Sequence, residues 1–122
     1  MGSAKKLERI RQKRAKRVRS KVFGTGERPR LSVFRSSRHI YVQAIADDVS
    51  QTLAFASTLS KELKGNLGGL NKSEAAREVG KLLAKKLTSQ NVSSAVFDRG
   101  RFLYHGRVKA LAEGVRETGL TF

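Results

Sequence analysis

The stretch that decides the fold is RLSVFRSSRHIYVQAIA, residues 30–46. Apolar side chains recur at every second position in residues 30–35 and again in residues 40–46, a spacing typical of β-strands. The polar residues 36–39 between them predict a short turn. Pairing Val33 with Val42 and Phe34 with Tyr41 gives an antiparallel hairpin in which side chains of like character share a face.

This register gives the hairpin two unlike faces. The aliphatic face needs a core to cover it and consists of Leu31, Val33, Ile40, Val42 and Ala44. The other face is polar and aromatic and consists of Ser32, Phe34, Tyr41 and Gln43. A polar face with two neighbouring rings is either solvent surface or a platform on which nucleic-acid bases stack. The flanking Arg30, Arg35 and Arg38 favour contact with nucleic acid.

Four further elements and a glycine-rich loop follow the hairpin. They are a strand at 52–58, a loop at 61–72, a helix capped by Asn71 or Ser73 and running to about residue 89, a short buried strand at 95–97, and a helix at 107–118. A helix between the third and fourth strands predicts a right-handed crossover, so the fourth strand should lie parallel to the first and beside it. The sequence therefore predicts an α/β fold. Its small mixed sheet combines a three-strand antiparallel meander with one parallel strand, and two helices cover one face.

Positive charge is concentrated at the start of the 122-residue chain. The formal net charge is +16, and the first thirty residues carry twelve Lys and Arg against Glu8 and Glu27. Such a run repels itself and becomes stable only against a polyanion, most commonly a phosphate backbone. We predict a basic N-terminal arm at residues 1–28 and an α/β domain that binds nucleic acid at residues 29–122.

Several other classes of protein are disfavoured by composition. The chain has no Cys, so it has no disulfides and no thiolate metal site. It lacks the roughly 18 consecutive apolar residues of a membrane span. We expect a cytoplasmic protein with no membrane contact, no cofactor and no bound metal.

An enzymatic role has weak support in the sequence. His39 and His105 have no metal-ligand spacing with each other or with a carboxylate. Asp98 follows a buried strand, where some nucleases place a metal ligand, but a metal nuclease needs several converging carboxylates. We therefore predict that the protein is not an enzyme.

A second cluster of basic residues follows the fourth strand. Residues 98–107 hold three Arg, a Tyr, a His and two Gly, and they lead into the N-terminus of a helix. Helix N-termini attract anions through free N–H groups, and Arg99 and Arg101 can make forked contacts with phosphate. A charged surface loop is the alternative interpretation, but the helix start favours binding.

Separated motifs resemble one known family. They are Arg30-Leu-Ser-Val-Phe-Arg-Ser, then His39-Ile-Tyr-Val-Gln43, then Phe97-Asp-Arg-Gly100, and finally Tyr104-His-Gly-Arg-Val-Lys-Ala-Leu-Ala112. In this order they resemble the bacterial form of ribosomal protein eighteen of the large subunit, over nearly the whole chain. The resemblance implies a structural protein of the large subunit that binds 5S rRNA and helps attach it to 23S rRNA in the central protuberance. It also implies contact of the arm with 23S rRNA, and we expect neighbouring large-subunit proteins as partners and a monomer outside the ribosome.

The alternative function is a general nucleic-acid-packaging protein, which the ordered domain argues against because packaging needs only charge.

The candidate RNA-binding residues fall into three groups. In the arm they are Lys5, Lys6, Arg9, Arg11, Lys13, Arg14, Lys16, Arg17 and Arg19. On the hairpin they are Arg30, Ser32, Phe34, Arg35, Ser36, Arg38, His39, Tyr41 and Gln43. After the fourth strand they are Arg99, Gly100, Arg101, Tyr104, His105, Gly106, Arg107 and Lys109.

Overall fold

The computed structural model of the chain describes residues 22–98, 100, 102 and 105–122. Its elements are β1 (Arg30–Arg35), β2 (Ile40–Ala46), β3 (Gln51–Ser57), a short 3-10 helix (Lys61–Leu63), α1 (Lys72–Thr88), β4 (Val96–Asp98) and α2 (Gly106–Glu117). The predicted order of strands and helices is confirmed. The bounds predicted for β3, β4 and α2 each differ from the observed bounds by one residue. The predicted loop at 61–72 contains the 3-10 helix.

The four strands form one sheet in the order β3-β2-β1-β4. In the β1–β2 hairpin Val33 pairs with Val42 and Phe34 with Tyr41, which confirms the predicted antiparallel register. β4 lies parallel to β1 at the edge of the sheet, so that Leu31 is paired with Phe97. The predicted α/β class and mixed sheet are therefore confirmed, including the crossover between β3 and β4.

Both helices take part in the core on the aliphatic face of the sheet. Leu83 and Leu87 of α1, Leu111 of α2 and Leu31 of β1 are all 0% exposed and belong to one apolar cluster. Burying a leucine side chain completely contributes about 1.5–3 kcal/mol relative to leaving it exposed. The 3-10 helix adds Leu63 to the same cluster. Burial of this face leaves the opposite face of the sheet as the one available to a partner.

Side chains in α1 and just beyond it form hydrogen bonds at both ends of the helix. Asn71 is the N-cap, since its side chain accepts a hydrogen bond of 2.8 Å from the backbone N–H of Glu74. Near the other end, Lys86 donates to the carbonyl oxygen of Phe55 and Gln90, just beyond α1, donates to that of Leu53, both at 2.8 Å. These two bonds join the helix to β3, which is an edge strand.

The two helices cross at a pair of glycines. A Cβ atom added at Gly80 would collide with the backbone carbonyl of Leu111, and one added at Gly114 would collide with that of Arg77. The backbones of α1 and α2 therefore pack directly against each other, with no side chain between them at this point. Gly80 lies in the interior of α1, where glycine is otherwise unfavourable.

Replacing Gly80 with Ala should destabilise the protein. The added methyl group forces the helices apart, and overpacking of this kind costs about 1–3 kcal/mol. Alanine recovers about 1 kcal/mol through its higher helix propensity. We expect a net loss of stability, measured by chemical denaturation.

Gly68→Ala is the matched control, since no heavy atom lies within 4 Å of a Cβ placed there. It should unfold at the wild-type denaturant concentration. A Gly80→Ala variant as stable as wild type would show that the crossing tolerates a side chain.

Candidate nucleic-acid interface

Arg30 is held by two carboxylates at the start of β1. Its Nε and Nη2 donate to the two oxygens of Asp47 at 2.9 and 3.1 Å, and its Nη1 donates to Asp98 at 2.9 Å. The three side chains are 15%, 21% and 7% exposed, respectively. The hydrogen bond from Arg30 lowers the pKa of Asp47, and the hydrogen bond to Asp47 raises the pKa of Arg30.

This arrangement gives Arg30 a structural role within the fold, since its guanidinium is engaged with Asp47 and Asp98. The RNA contact predicted for Arg30 from the sequence stays a prediction. Asp98 also accepts a hydrogen bond of 2.8 Å from the backbone N–H of Gly100. Both of its oxygens therefore have partners in the protein.

Asp47 also fixes the chain just before the sheet. Its side chain accepts a hydrogen bond from the N–H of Gly24, and its own N–H donates to the Gly24 carbonyl, each at 2.8 Å. A Cβ atom at residue 24 would collide with backbone atoms of Arg30 and Ile45, so this approach needs glycine. Gly24 lies in the segment assigned to the arm, and the division at residues 28 and 29 stays a prediction.

The Asp47 contacts predict how stability depends on pH. The pKa of Asp47 is lower in the folded protein than its ordinary value of 3.8. Its contribution is therefore complete above pH 3.8 and is lost as pH falls through the lower folded value. At pH 7, Asp47→Asn should cost about 2–3 kcal/mol, since it removes hydrogen bonds between charged groups. As pH falls below 3.8 the difference from wild type should shrink.

Asp48→Asn provides the control for urea unfolding across this pH range. Asp48 is exposed and its carboxylate has no hydrogen bond or ion pair within the described residues. Its replacement should change stability by no more than about 0.5 kcal/mol. Equal losses of stability in the two variants would mean that the Asp47 contacts contribute nothing beyond a surface charge.

The free face of the sheet carries three neighbouring rings. Phe34 and Tyr41 stack with centroids 4.7 Å apart and planes 8° from parallel, and Phe55 lies 6.5 Å from Tyr41. Phe34 is 45% exposed and Phe55 is 41% exposed. We call Phe34, Tyr41 and Phe55 the aromatic face. The predicted Ser32 and Gln43 are partly exposed on the same side of the sheet.

Phe55 is absent from the residues predicted from the sequence. It pairs with Gln43 in the sheet, which places it beside the predicted rings. Continuing the pairing of Ala46 with Gln51 along the strands would instead have placed Phe55 opposite Val42, on the core face. An irregularity between Ala44 and Ile45 shifts the pairing near the start of β3, and the sequence gives no sign of this shift.

Cationic side chains surround the turn between β1 and β2. Arg35 and Arg38 are exposed there, and the guanidinium of Arg35 lies 5.3 Å from the ring centroid of Phe102. Arg107 donates to the carbonyl oxygen of Ser36 at 3.0 Å, which joins the start of α2 to the turn. The N–H of Ser36 donates to the carbonyl of His39 at 2.9 Å and closes the turn. The structure thus brings the predicted residues of the hairpin turn and Arg107 together.

The start of α2 exposes its first residues. His105 is the N-cap, and its side chain makes no capping hydrogen bond. Gly106 has a φ of +55°, which favours glycine, and Lys109 is exposed on the first turn. Gly100 is exposed in the preceding loop. The remaining predicted residues of that loop, Arg99, Arg101 and Tyr104, and all those of the arm lie outside the described residues.

Within the described residues, no group of three or more His, Asp or Glu is placed to hold a metal ion. None of the helices described is long and apolar enough to cross a membrane. The features that distinguish this surface are its exposed rings and its cations. The protein therefore belongs to a class of small α/β proteins suited to binding nucleic acid. Two helices cover one side of its mixed sheet, and rings and cations are exposed on the other.

Comparison with known proteins gives the family. The family model for ribosomal L18 of archaea, bacteria, mitochondria and chloroplasts matches residues 5–122. The chain therefore belongs to the ribosomal L18 family.

Relatives are similar along nearly their full length. A large ribosomal subunit protein uL18 of Syntrophus aciditrophicus is 55% identical over 120 residues, covering 98% of this chain and 99% of the relative. The uL18 protein of Sorangium cellulosum is 58% identical over 112 residues, covering 92% and 94%. The resemblance found in the sequence is confirmed. The chain is a structural constituent of the large subunit of the cytoplasmic ribosome and not an enzyme.

Proposed function

We propose that the protein binds 5S rRNA through the aromatic face and the cations around the hairpin turn, and helps attach it to 23S rRNA in the central protuberance. In this proposal the basic arm contacts 23S rRNA. The observation that carries it is the stacked Phe34–Tyr41 pair on the sheet face opposite the helices, where Phe34 is exposed and Tyr41 is partly exposed. Membership in a ribosomal protein family supports an RNA partner.

The aromatic face supplies contacts that depend on RNA shape. A base stacked on an aromatic side chain contributes about 1–3 kcal/mol, and sequence-specific recognition of RNA usually targets such unstacked bases. Arg35 and Arg38 flank the rings and are available for phosphate oxygens. A fixed group of rings and cations favours a folded RNA target over the general packaging function, which would require only charge.

Phe34→Ala should weaken binding of 5S rRNA with little loss of stability. Removal of one stacked base corresponds to roughly 10- to 100-fold in affinity. The stability cost should be about 1 kcal/mol, because the ring no longer stacks on Tyr41. Filter binding or fluorescence titration gives the affinity, and thermal unfolding gives the stability.

Val49→Ala is the control for removal of an exposed apolar side chain. Val49 is 62% exposed and lies in the turn between β2 and β3, at the opposite end of β2 from Tyr41. This variant should bind 5S rRNA as wild type does. If Phe34→Ala also binds like wild type, the aromatic face does not stack on this RNA.

Deleting residues 1–22 should reduce the salt dependence of RNA binding. These residues carry ten Lys and Arg, and the deletion leaves Gly24 bonded to Asp47. The slope of log affinity against log salt should fall by roughly 0.7–0.9 for each phosphate that the arm no longer neutralises. Because phosphate contacts carry little sequence information, preference for 5S rRNA over an unrelated folded RNA should survive.

The companion variant replaces Arg99 and Arg101 with Ala, two residues that belong to the predicted domain and not to the arm. It should reduce the preference for 5S rRNA more than it reduces the salt slope. Loss of preference on deletion of the arm, with the loop variant unaffected, would make the arm the specific reader.

We further propose that the protein is a monomer before assembly and contacts neighbouring large-subunit proteins in the ribosome. A formal net charge of +16 opposes self-association. Sedimentation of the purified chain at physiological salt tests the monomer, and a concentration-dependent increase in mass would contradict it.

A further inference from the structure

A cavity of about 300 Å³ lies at the end of the β1–β2 hairpin, beside the start of α1. Arg38 and His39 line it from the turn, Lys72 from α1 and Arg107 from α2. Leu67 contributes to the apolar part of the wall. None of the ten lining residues is acidic. We call this space the hairpin cavity.

Two of its cations are fixed by hydrogen bonds to the turn. Lys72 Nζ donates to the carbonyl oxygen of Ser37 at 2.7 Å, and Arg107 Nη2 donates to that of Ser36 at 3.0 Å. These bonds position the charged groups but leave their charge uncompensated. None of the ion pairs among the described residues includes Arg38, Lys72 or Arg107.

The positively charged side chains around the hairpin cavity lie close together, which is energetically unfavourable. Burial and, after it, the neighbouring charge of Arg35 lower the pKa of Arg107 below its ordinary value, although it remains charged at neutral pH. Three cations around one cavity without a carboxylate favour a bound anion. A phosphate group suits the site, because its oxygens can accept charge-assisted hydrogen bonds from several cations at once.

We propose that the hairpin cavity binds one phosphodiester group of the 5S rRNA backbone, with Lys72 and Arg38 as its main contacts and Arg107 holding the turn in position. The proposal rests on the proposed function and adds Lys72 to the interface. His39 borders the cavity and its ring centroid lies 6.5 Å from that of Tyr41. The backbone of an RNA strand with a base on the aromatic face therefore passes close to the cavity.

The first test compares Lys72→Gln with Lys85→Gln. Lys85 is exposed in the last turn of the same helix and has no ion pair within the described residues, so both variants lose one α1 charge. Lys72→Gln should weaken 5S rRNA binding about tenfold and lower the salt slope by about 0.7–0.9. Lys85→Gln should change neither quantity, and Lys72→Arg should restore both. Thermal unfolding checks that all three variants are folded.

The second test locates the phosphate itself. Ethylation of single phosphates in 5S rRNA removes their charge, and the bound and unbound RNA pools show which modifications interfere. At one position, ethylation should impair binding of wild type and of Lys85→Gln but make no difference to Lys72→Gln. Identical interference patterns for wild type and Lys72→Gln would overturn the proposal.

The outcomes separate this inference from the proposed function. If wild type shows no preference for 5S rRNA over an unrelated folded RNA, the proposed function fails. If wild type shows the preference and Lys72→Gln matches Lys85→Gln, only the cavity proposal fails. Inorganic phosphate is titrated separately by NMR of the Lys72 amide. Saturable binding of free phosphate, together with an unchanged RNA salt slope in Lys72→Gln, would assign the cavity to the free ion and also overturn the proposal.

Discussion

The bonds from the Arg30 guanidinium to Asp47 and Asp98 hold one end of the sheet together. They join the start of β1 to the turn after β2, 17 residues away, and to the end of β4, 68 residues away. Through Asp47 they also fix Gly24, which lies in the segment predicted to be the basic arm. Removing one partner from a buried ion pair leaves an uncompensated charge, so all the members depend on one another. Gly24 is therefore held by the same polar group that closes the sheet.

The two faces of the sheet have different roles: one stabilises the fold, and the other is the surface proposed to bind RNA. Leu31 and Val42 on one face are 0% exposed and belong to the core, while Phe34 on the other face is 45% exposed. Because successive side chains of a strand point to opposite faces, a single hairpin can supply both surfaces. The Arg30 contacts lie at one end of β1, and the aromatic pair and the turn lie at the other. The stacked rings thus belong to β1 and β2, and the Arg30 contacts hold these strands at the opposite end.

Much of this fold could be predicted because its signals are local. The pairing of Val33 with Val42 follows from alternation within 17 residues. The start of α1 was predicted from the capping residues Asn71 and Ser73, and Asn71 is the one that forms the cap. The features that could not be predicted from the sequence depend on contacts between residues far apart in the chain. The sequence predicted Arg30 as a cation at the RNA surface and did not show its ion pair with Asp98. It also did not show that the backbone of Gly80 packs against that of Leu111. A sequence pattern shows which residues are present but not which distant partners they meet.

The bonds from Lys86 and Gln90 to the β3 carbonyls have a consequence for the protein before assembly. An edge strand with free backbone groups is a template on which another chain can add a strand, and this is a common route to aggregation. In this protein α1 and the residue just past its end already occupy the carbonyls of Leu53 and Phe55. A newly made copy can therefore keep its rings exposed while it awaits RNA, since its edge offers neighbouring copies fewer places to pair.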